Sequence, residues 1–264
     1  MESYTKIRIF LLILILIFLI LKLKDLLLDL LTPKEERFLK AAENGNLKKI
    51  KSMLNKEVNI KTLINAVDKE NNTALILASK FGYHEIVKIL IENGADIDAR
   101  NNENSTALIE ASSFYYEVVK ILIENGADIN AKDNEGTTPL MNASTEDDNY
   151  EICKTLIENG ADINAKDLQG DNALIYASTF LEWDLAIIKL LIESGIEINT
   201  QNKDGYTALM EATISGNAEI VKVLIENGAD INIKNNDGKT ALDYAEENDY
   251  KGIIELLKIN RLHL

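Results

Sequence analysis

Asn-Gly-Ala-Asp stands at residues 93–96 and returns at 125–128, 159–162 and 227–230, with Ser-Gly-Ile-Glu at 194–197 filling the one gap. The intervals are 32, 34, 35 and 33 residues. A second string keeps the same rhythm: Thr73-Ala74-Leu75, Thr106-Ala107-Leu108, Thr138-Pro139-Leu140, Asn172-Ala173-Leu174, Thr207-Ala208-Leu209 and Thr240-Ala241-Leu242. Two independent strings locked to one period mark a chain built from repeated units, each too small to bury its own apolar face.

Each string has a physical job. The Thr hydroxyl can accept backbone N–H bonds and so start a helix. Pro139 follows at the first helical position, where its missing N–H costs nothing, and the other units place Ala there, a strong helix former. About two helical turns follow, with Leu75 and Ala78 turned inward. A second helix, as at 85–93, carries Ile86, Val87, Leu90 and Ile91 at helical spacing. Gly94 supplies the left-handed conformation that ends it. Residues 95–99 are expected to run extended into a tight turn, Asp-Asn-Glu-Gly at 133–136 and Asn-Lys-Asp-Gly at 202–205, of the kind found at hairpin tips.

On these strings the sequence resembles the ankyrin-repeat family, over about residues 34–264. The resemblance implies an all-α ankyrin-repeat solenoid, helix-turn-helix units joined by β-hairpin-like loops, and the apolar start of the sequence adds the expectation of an N-terminal hydrophobic helix in front. Five full repeats are read at 68–100, 101–132, 133–166, 167–201 and 202–234. Residues 34–67 read as a degenerate first repeat with an irregular connection, and 235–264 as a C-terminal capping repeat, since terminal units of such stacks are atypical. The family's T-P-L-H signature loses its His here to Ile76, Ile109, Met141, Ile175, Met210 and Asp243, so more apolar contact between units is expected. Repeats 133–166 and 167–201 carry extra residues near 146–149 and 180–184, and insertions in such chains map to loops by a binding face.

Residues 1–33 form a separate N-terminal hydrophobic segment. Positions 9–21 are thirteen consecutive apolar residues between Lys6, Arg8 and Lys22, Lys24. A cleaved signal peptide fits the basic start, yet no Ala follows the apolar run before Ala41. An uncleaved membrane anchor through residues 7–31 is the reading carried forward: the run is short for a span, but its flanks extend it and the lysines can snorkel. A soluble cytoplasmic helix packed on the first repeat is the alternative. The side of the membrane that the repeats face stays open, the excess of Lys and Arg after the run mildly favouring the cytoplasmic side.

Composition narrows the function. The net charge is −15. The first 40 residues hold seven Lys/Arg and five acids, +2, which leaves −17 on residues 41–264. Such a body repels nucleic acid and would complement a protein partner with a basic surface; a monomer is expected. No phosphate loop, nucleophile elbow or paired-His motif occurs, so no catalytic, cofactor-binding or metal-binding residue is assigned. Cys153 reads as a small core residue and His84 as structural.

Ankyrin-family proteins bind through turn tips and the exposed face of each first helix. Carried over repeat by repeat, the resemblance implies partner contacts at Lys69, Glu70 and Asn72; at Asn102, Glu103 and Ser105; at Asn134, Glu135 and Thr137; at Leu168, Gln169 and Asp171; and at Lys203, Asp204 and Tyr206. On the first helices Phe81, Phe114 and Phe180 recur at one position, either as an aromatic strip on an acidic concave surface or as core covering the helix ends. Trp183 is expected near them. Two functions follow: a non-catalytic protein-binding scaffold tethered to a membrane, or a regulatory or inhibitory module acting on one enzyme or channel. An enzyme in its own right has no constellation to support it.

Overall fold

The computed structural model describes residues 14–20, 22, 23, 31–57, 59–180 and 185–261. From residue 34 onward the chain is a row of antiparallel helix pairs: Lys34–Glu43 with Leu47–Leu54, Ala74–Lys80 with His84–Glu92, Ala107–Ala111 with Tyr116–Glu124, Pro139–Ala143 with Tyr150–Glu158, Ala173–Phe180 with Leu185–Glu193, Ala208–Ile214 with Ala218–Glu226, and Ala241–Glu247 with Lys251–Arg261. The first helices pack in one layer and the second helices in another, each against its neighbours in the row. Each pair therefore completes its core on the next one, as in a solenoid.

The helix starts follow the expected capping. The hydroxyls of Thr73, Thr106, Thr138, Thr207 and Thr240 accept from the backbone N–H three residues on, and Asn172 Oδ1 does the same for Ile175 at 3.0 Å. Two residues past each cap, Leu75, Leu108, Leu140, Leu174 and Leu209 are buried, and five past it Ala78, Ala111, Ala143, Ala177, Ala212 and Ala245 are wholly so. The small alanines let neighbouring first helices approach closely. Ile76, Ile109, Met141, Ile175 and Met210 are also buried, so the position that holds His in the signature serves here as core. Asp243 instead reaches back to its own cap, accepting from the Thr240 N–H and hydroxyl, both at 2.7 Å.

The second helices of the five full repeats stop alike. In the first of those repeats Ala95 N–H donates to Leu90 C=O and Gly94 N–H to Ile91 C=O, the paired bonds of a left-handed helix stop, with Gly94 at φ +85°. Asn93 Nδ2 closes one more carbonyl, that of Ile89, at 2.8 Å. Beyond the stop the chain departs from expectation. Residues 95–99 do not run extended: Ala99 N–H turns back to Asp96 C=O, and the same turn recurs at 128–131, 162–165 and 197–200. Asp96 Oδ1 promotes it by accepting from Asp98 N–H. The tips are likewise turns without strands; an isolated antiparallel bridge, Val67 with Thr73, is the β-pairing among the described residues. The irregular connection of the first unit holds a short helix, Ile60–Ile64, that buries Leu63 and Ile64.

At the N-terminus, residues 14–20, 22 and 23 are helical, with their large apolar side chains about half exposed. Among the described residues no helix is long and apolar enough to cross a membrane. Residues 7–13, 21 and 24–30 of the expected hydrophobic helix lie outside the described residues, as does Trp183.

The turns between the two helices of a unit show a pairing across units. Gly82 adopts φ +73°, and a Cβ built there would stand 2.4 Å from the Tyr115 ring. Tyr83 covers Gly45 and Tyr250 covers Gly216 in the same way. Gly82→Ala should therefore lower stability by about 2 kcal/mol or more, from strain plus overpacking. Gly94→Ala, with the same sign of φ but open space around it, should cost about 1 kcal/mol. Urea unfolding of the two variants compares them directly, and equal midpoints would remove the role given to Tyr115.

Candidate protein-binding surface

Six turn tips are built alike, at 68–72, 101–105, 133–137, 167–171, 202–206 and 235–239. In each, the leading Asp or Asn accepts through Oδ1 from the N–H groups two and four residues on; in the second tip Asn101 takes those of Glu103 at 3.0 Å and Ser105 at 2.9 Å. A side chain thus replaces a strand partner in satisfying the turn backbone. The fourth residue has positive φ, Asn71 and Asn104 in the first two tips and Gly136, Gly170, Gly205 and Gly238 in the rest. Asn71 and Asn104 use their amides to reach the next unit, donating to Arg100 C=O and Lys132 C=O at 2.8 and 3.0 Å.

The tips are chained to one another. Asn102 N–H donates to Glu70 C=O, Asn134 to Glu103, Leu168 to Glu135, Lys203 to Gln169 and Asn236 to Asp204, all at 2.8–3.0 Å. A second chain runs below it. The Asn65, Asp98, Asn130, Asn164 and Asn199 side chains accept from the N–H of Asp96, Asp128, Asp162, Glu197 and Asp230 in the following unit, at 2.8–3.0 Å. The tips therefore form a rigid edge with side chains projecting from it.

Along this edge Lys69, Glu70, Asn102, Glu103, Asn134, Glu135, Leu168, Gln169, Lys203 and Asp204 are exposed. The last tip position is not a surface position in every unit. Ser105 and Thr137 are 3% and 6% exposed, which corrects their placing among the partner contacts. They immediately precede the capping threonine, where the chain turns into the stack. Asn72, Asp171 and Tyr206 at the same position are half-buried, and Asn72 and Asp171 accept from Asn101 and Asn202 of the next unit.

Phe81, Phe114 and Phe180 are 41%, 61% and 56% exposed, so they do not serve as core. Each stands eight residues past its cap, but in different local settings: Phe81 caps the end of its helix, Phe180 ends its helix, and Phe114 lies in the turn beyond Ser112. Cys153 is buried, and burial pushes its thiol up to about 12, which removes it as a nucleophile. Among the described residues no group of three or more His, Cys, Asp or Glu is placed to hold a metal ion.

Sequence reasoning passed over one row. Four residues past each cap stand Leu77, Glu110, Asn142, Tyr176, Glu211 and Tyr244. Glu110 pairs with Lys80 at 3.3 Å, Asn142 Nδ2 donates to Ile109 C=O, and Tyr176 Oη donates to Asp167 at 2.9 Å. Burial, and then the Asp171 charge, raise Glu211 above the usual carboxylate range. Burial likewise raises Asp171, against the lowering by Asn202 and with help from Asp167 and Asp204. The signal available in the sequence was the constant offset from the cap, filled mostly by polar residues on an otherwise apolar helix.

The sequence model of the ankyrin-repeat family, described as ankyrin repeats (3 copies), matches residues 38–133, 98–167, 132–202 and 174–262. A probable E3 ubiquitin-protein ligase, XBOS32, of Oryza sativa subsp. japonica is 34% identical over 79 residues, 30% of this chain and 16% of that protein. The E3 ubiquitin-protein ligase XBAT32 of Arabidopsis thaliana is 36% identical over 76 residues, 29% of this chain and 15% of its own. A Notch-regulated ankyrin repeat-containing protein of Xenopus tropicalis is 36% identical over 78 residues, 29% of this chain and 68% of that protein. The chain thus spans about one sixth of the two ligases, and their similarity to it is confined to a short stretch.

The raised carboxylates have a sign that can be checked. Glu211 binds its proton more readily folded than unfolded, so its contribution is full below the unfolded value and is lost as pH rises through the folded one. Glu211→Gln should raise stability at pH 7 and flatten the pH dependence above about 4.3, the ordinary Glu value. Thermal unfolding between pH 4 and 8 measures this, and a destabilised variant at pH 7 would mean that the carboxylate is compensated.

Proposed function

The chain belongs to the ankyrin-repeat family, and on that basis we propose that it is a non-catalytic scaffold that binds a protein partner through its turn tips and the adjoining ends of the first helices. Ankyrin repeats are in general protein–protein interaction modules rather than enzymes. The observation that carries the reading is the pairing of a rigid hydrogen-bonded edge with three exposed phenyl rings. Such rings cost solvation where they stand, and aromatic anchors of this kind supply much of the energy of a protein interface. The charge of the repeats and the raised carboxyls of Asp171 and Glu211 support a partner with a basic surface, since a cation brought beside them relieves their repulsion.

Alanine at Phe81, Phe114 and Phe180 together should weaken capture of the partner by about tenfold or more while leaving the helical circular dichroism unchanged. Capture from the native cells with wild-type and triple-variant bait, quantified side by side, is the measurement. Equal capture would remove the three rings from the interface.

The apolar run at 9–21 supports a membrane tether on the same chain. Full-length protein in its own cells should then pellet with membranes and resist a carbonate wash. Release into the soluble fraction would assign the segment to the repeats or to the partner instead.

A further inference from the structure

The pairing of an interhelical glycine with a tyrosine of the next unit breaks between repeats 101–132 and 133–166. Counting back two residues from the second helix, Phe114 stands where Gly82 stands one unit earlier. Asn149 stands where Tyr83 and Tyr115 stand. A Cβ at Gly82 would meet the covering ring at 2.4 Å, so a phenylalanine at this place and a covering tyrosine exclude one another. Asn149 is instead tied into the stack: its Nδ2 donates to Ser113 C=O at 2.7 Å and to Ala143 C=O at 3.2 Å. Asn149 also lines a cavity of about 430 Å³, whose wall holds Phe114, Tyr116 and Ile152 together with Glu146, Asp147, Asp148 and Glu151.

The extra residue of repeat 133–166 serves this cavity. It lies in the turn Asp147–Asn149, a short 3-10 helix placed between the two helices of that unit, and it carries two of the carboxylates to the cavity wall. Glu146, Asp148 and Glu151 make no ion pair among the described residues.

We propose that this cavity is the socket for an arginine side chain of the protein partner. The proposal rests on the binding-module reading above and names what one junction of that surface recognises. A guanidinium is planar and weakly hydrated; it can lie on an aromatic face while its N–H groups donate to carboxylates at its edge. The cavity offers both. A lysine ammonium, compact and strongly hydrated, gains from the carboxylates but less from the rings. An apolar side chain would strip water from four carboxylates without replacing it. A bare metal ion lacks its ligand set, because no three of these acids converge.

The test uses the full chain with ring-labelled phenylalanine, of which there are six, titrated by NMR with acetyl-Gly-Arg-Gly-amide and its lysine and citrulline counterparts. The Phe114 signal should shift with arginine, at least about fivefold less tightly with lysine, and not with citrulline, the neutral isostere. Phe114→Leu, which keeps an apolar side chain at an exposed position and is titrated through the backbone amide signals of Tyr116 and Asn149 in nitrogen-labelled chain, should weaken the arginine peptide about fivefold, and Asp148→Asn with Glu151→Gln about tenfold. Glu92→Gln with Glu226→Gln removes the same charge at exposed ends of second helices outside the proposed surface and should change little. Equal binding of arginine and lysine that survives Phe114→Leu would overturn the socket, as would an equal loss in this second-helix variant, which would mark diffuse attraction. The two readings fail separately. A silent Phe114 signal, with partner capture still lost on changing Phe81 and Phe180, refutes the socket alone. A shifting signal with capture untouched by those changes supports the socket and refutes the wider surface.

Discussion

The backbone bond from one turn tip to the next sets the dimensions of the molecule. Asn102 reaches Glu70, Asn134 reaches Glu103, and the same step runs to Asn236 and Asp204. An amide left unpaired at such a tip would have to be solvated in a crowded turn, so each tip is pinned one strand-like step from the last. The helices hang from this edge, and their residue sizes conform to it. Alanine stands wherever first helices approach, and leucine fills the wider space two residues past each cap. The length of a unit can vary from 32 to 35 residues because the variation is absorbed between the two helices, far from the edge.

What could be read from the sequence was whatever a single unit decides by itself. Thr73 caps its own helix, and Gly94 stops the next. Both depend on residues within a few positions, and both stand where the strings place them. What escaped was decided between units. The Tyr115 ring on Gly82 joins residues a full repeat apart, and nothing near Gly82 announces the ring above it. Ser105 and Thr137 share the tip position of the half-buried Asn72, Asp171 and Tyr206, yet they are buried. The expected extended run at 95–99 failed for a local reason: Asp96 offers its side chain to Asp98 N–H, and an aspartate so placed favours a turn over a strand. The exposure of Phe81, Phe114 and Phe180 was left open by composition alone, because a large ring at a helix end can cover or protrude with equal chemical logic.

The surface is uneven in a way that a regular stack would not be. Three junctions repeat one solution, glycine under tyrosine, at Gly45, Gly82 and Gly216. The junction around Phe114 and Asn149 uses another, and the insertion in repeat 133–166 falls beside it. Regular units hold the shape and an irregular one supplies an individual feature, which is how a fold shared by many proteins can carry a surface that belongs to one.

The substantial contacts of each helix pair run to the pair before and the pair after. Among the described residues, interior units are therefore gripped from two sides and the first and last units from one. Pulled at its termini, such a chain yields by peeling, one unit at a time and from the ends inward, and each unit released lengthens the tether between whatever the two ends hold. It behaves under load as an extensible strap with graded give, where a globular domain of equal mass would resist and then fail at once.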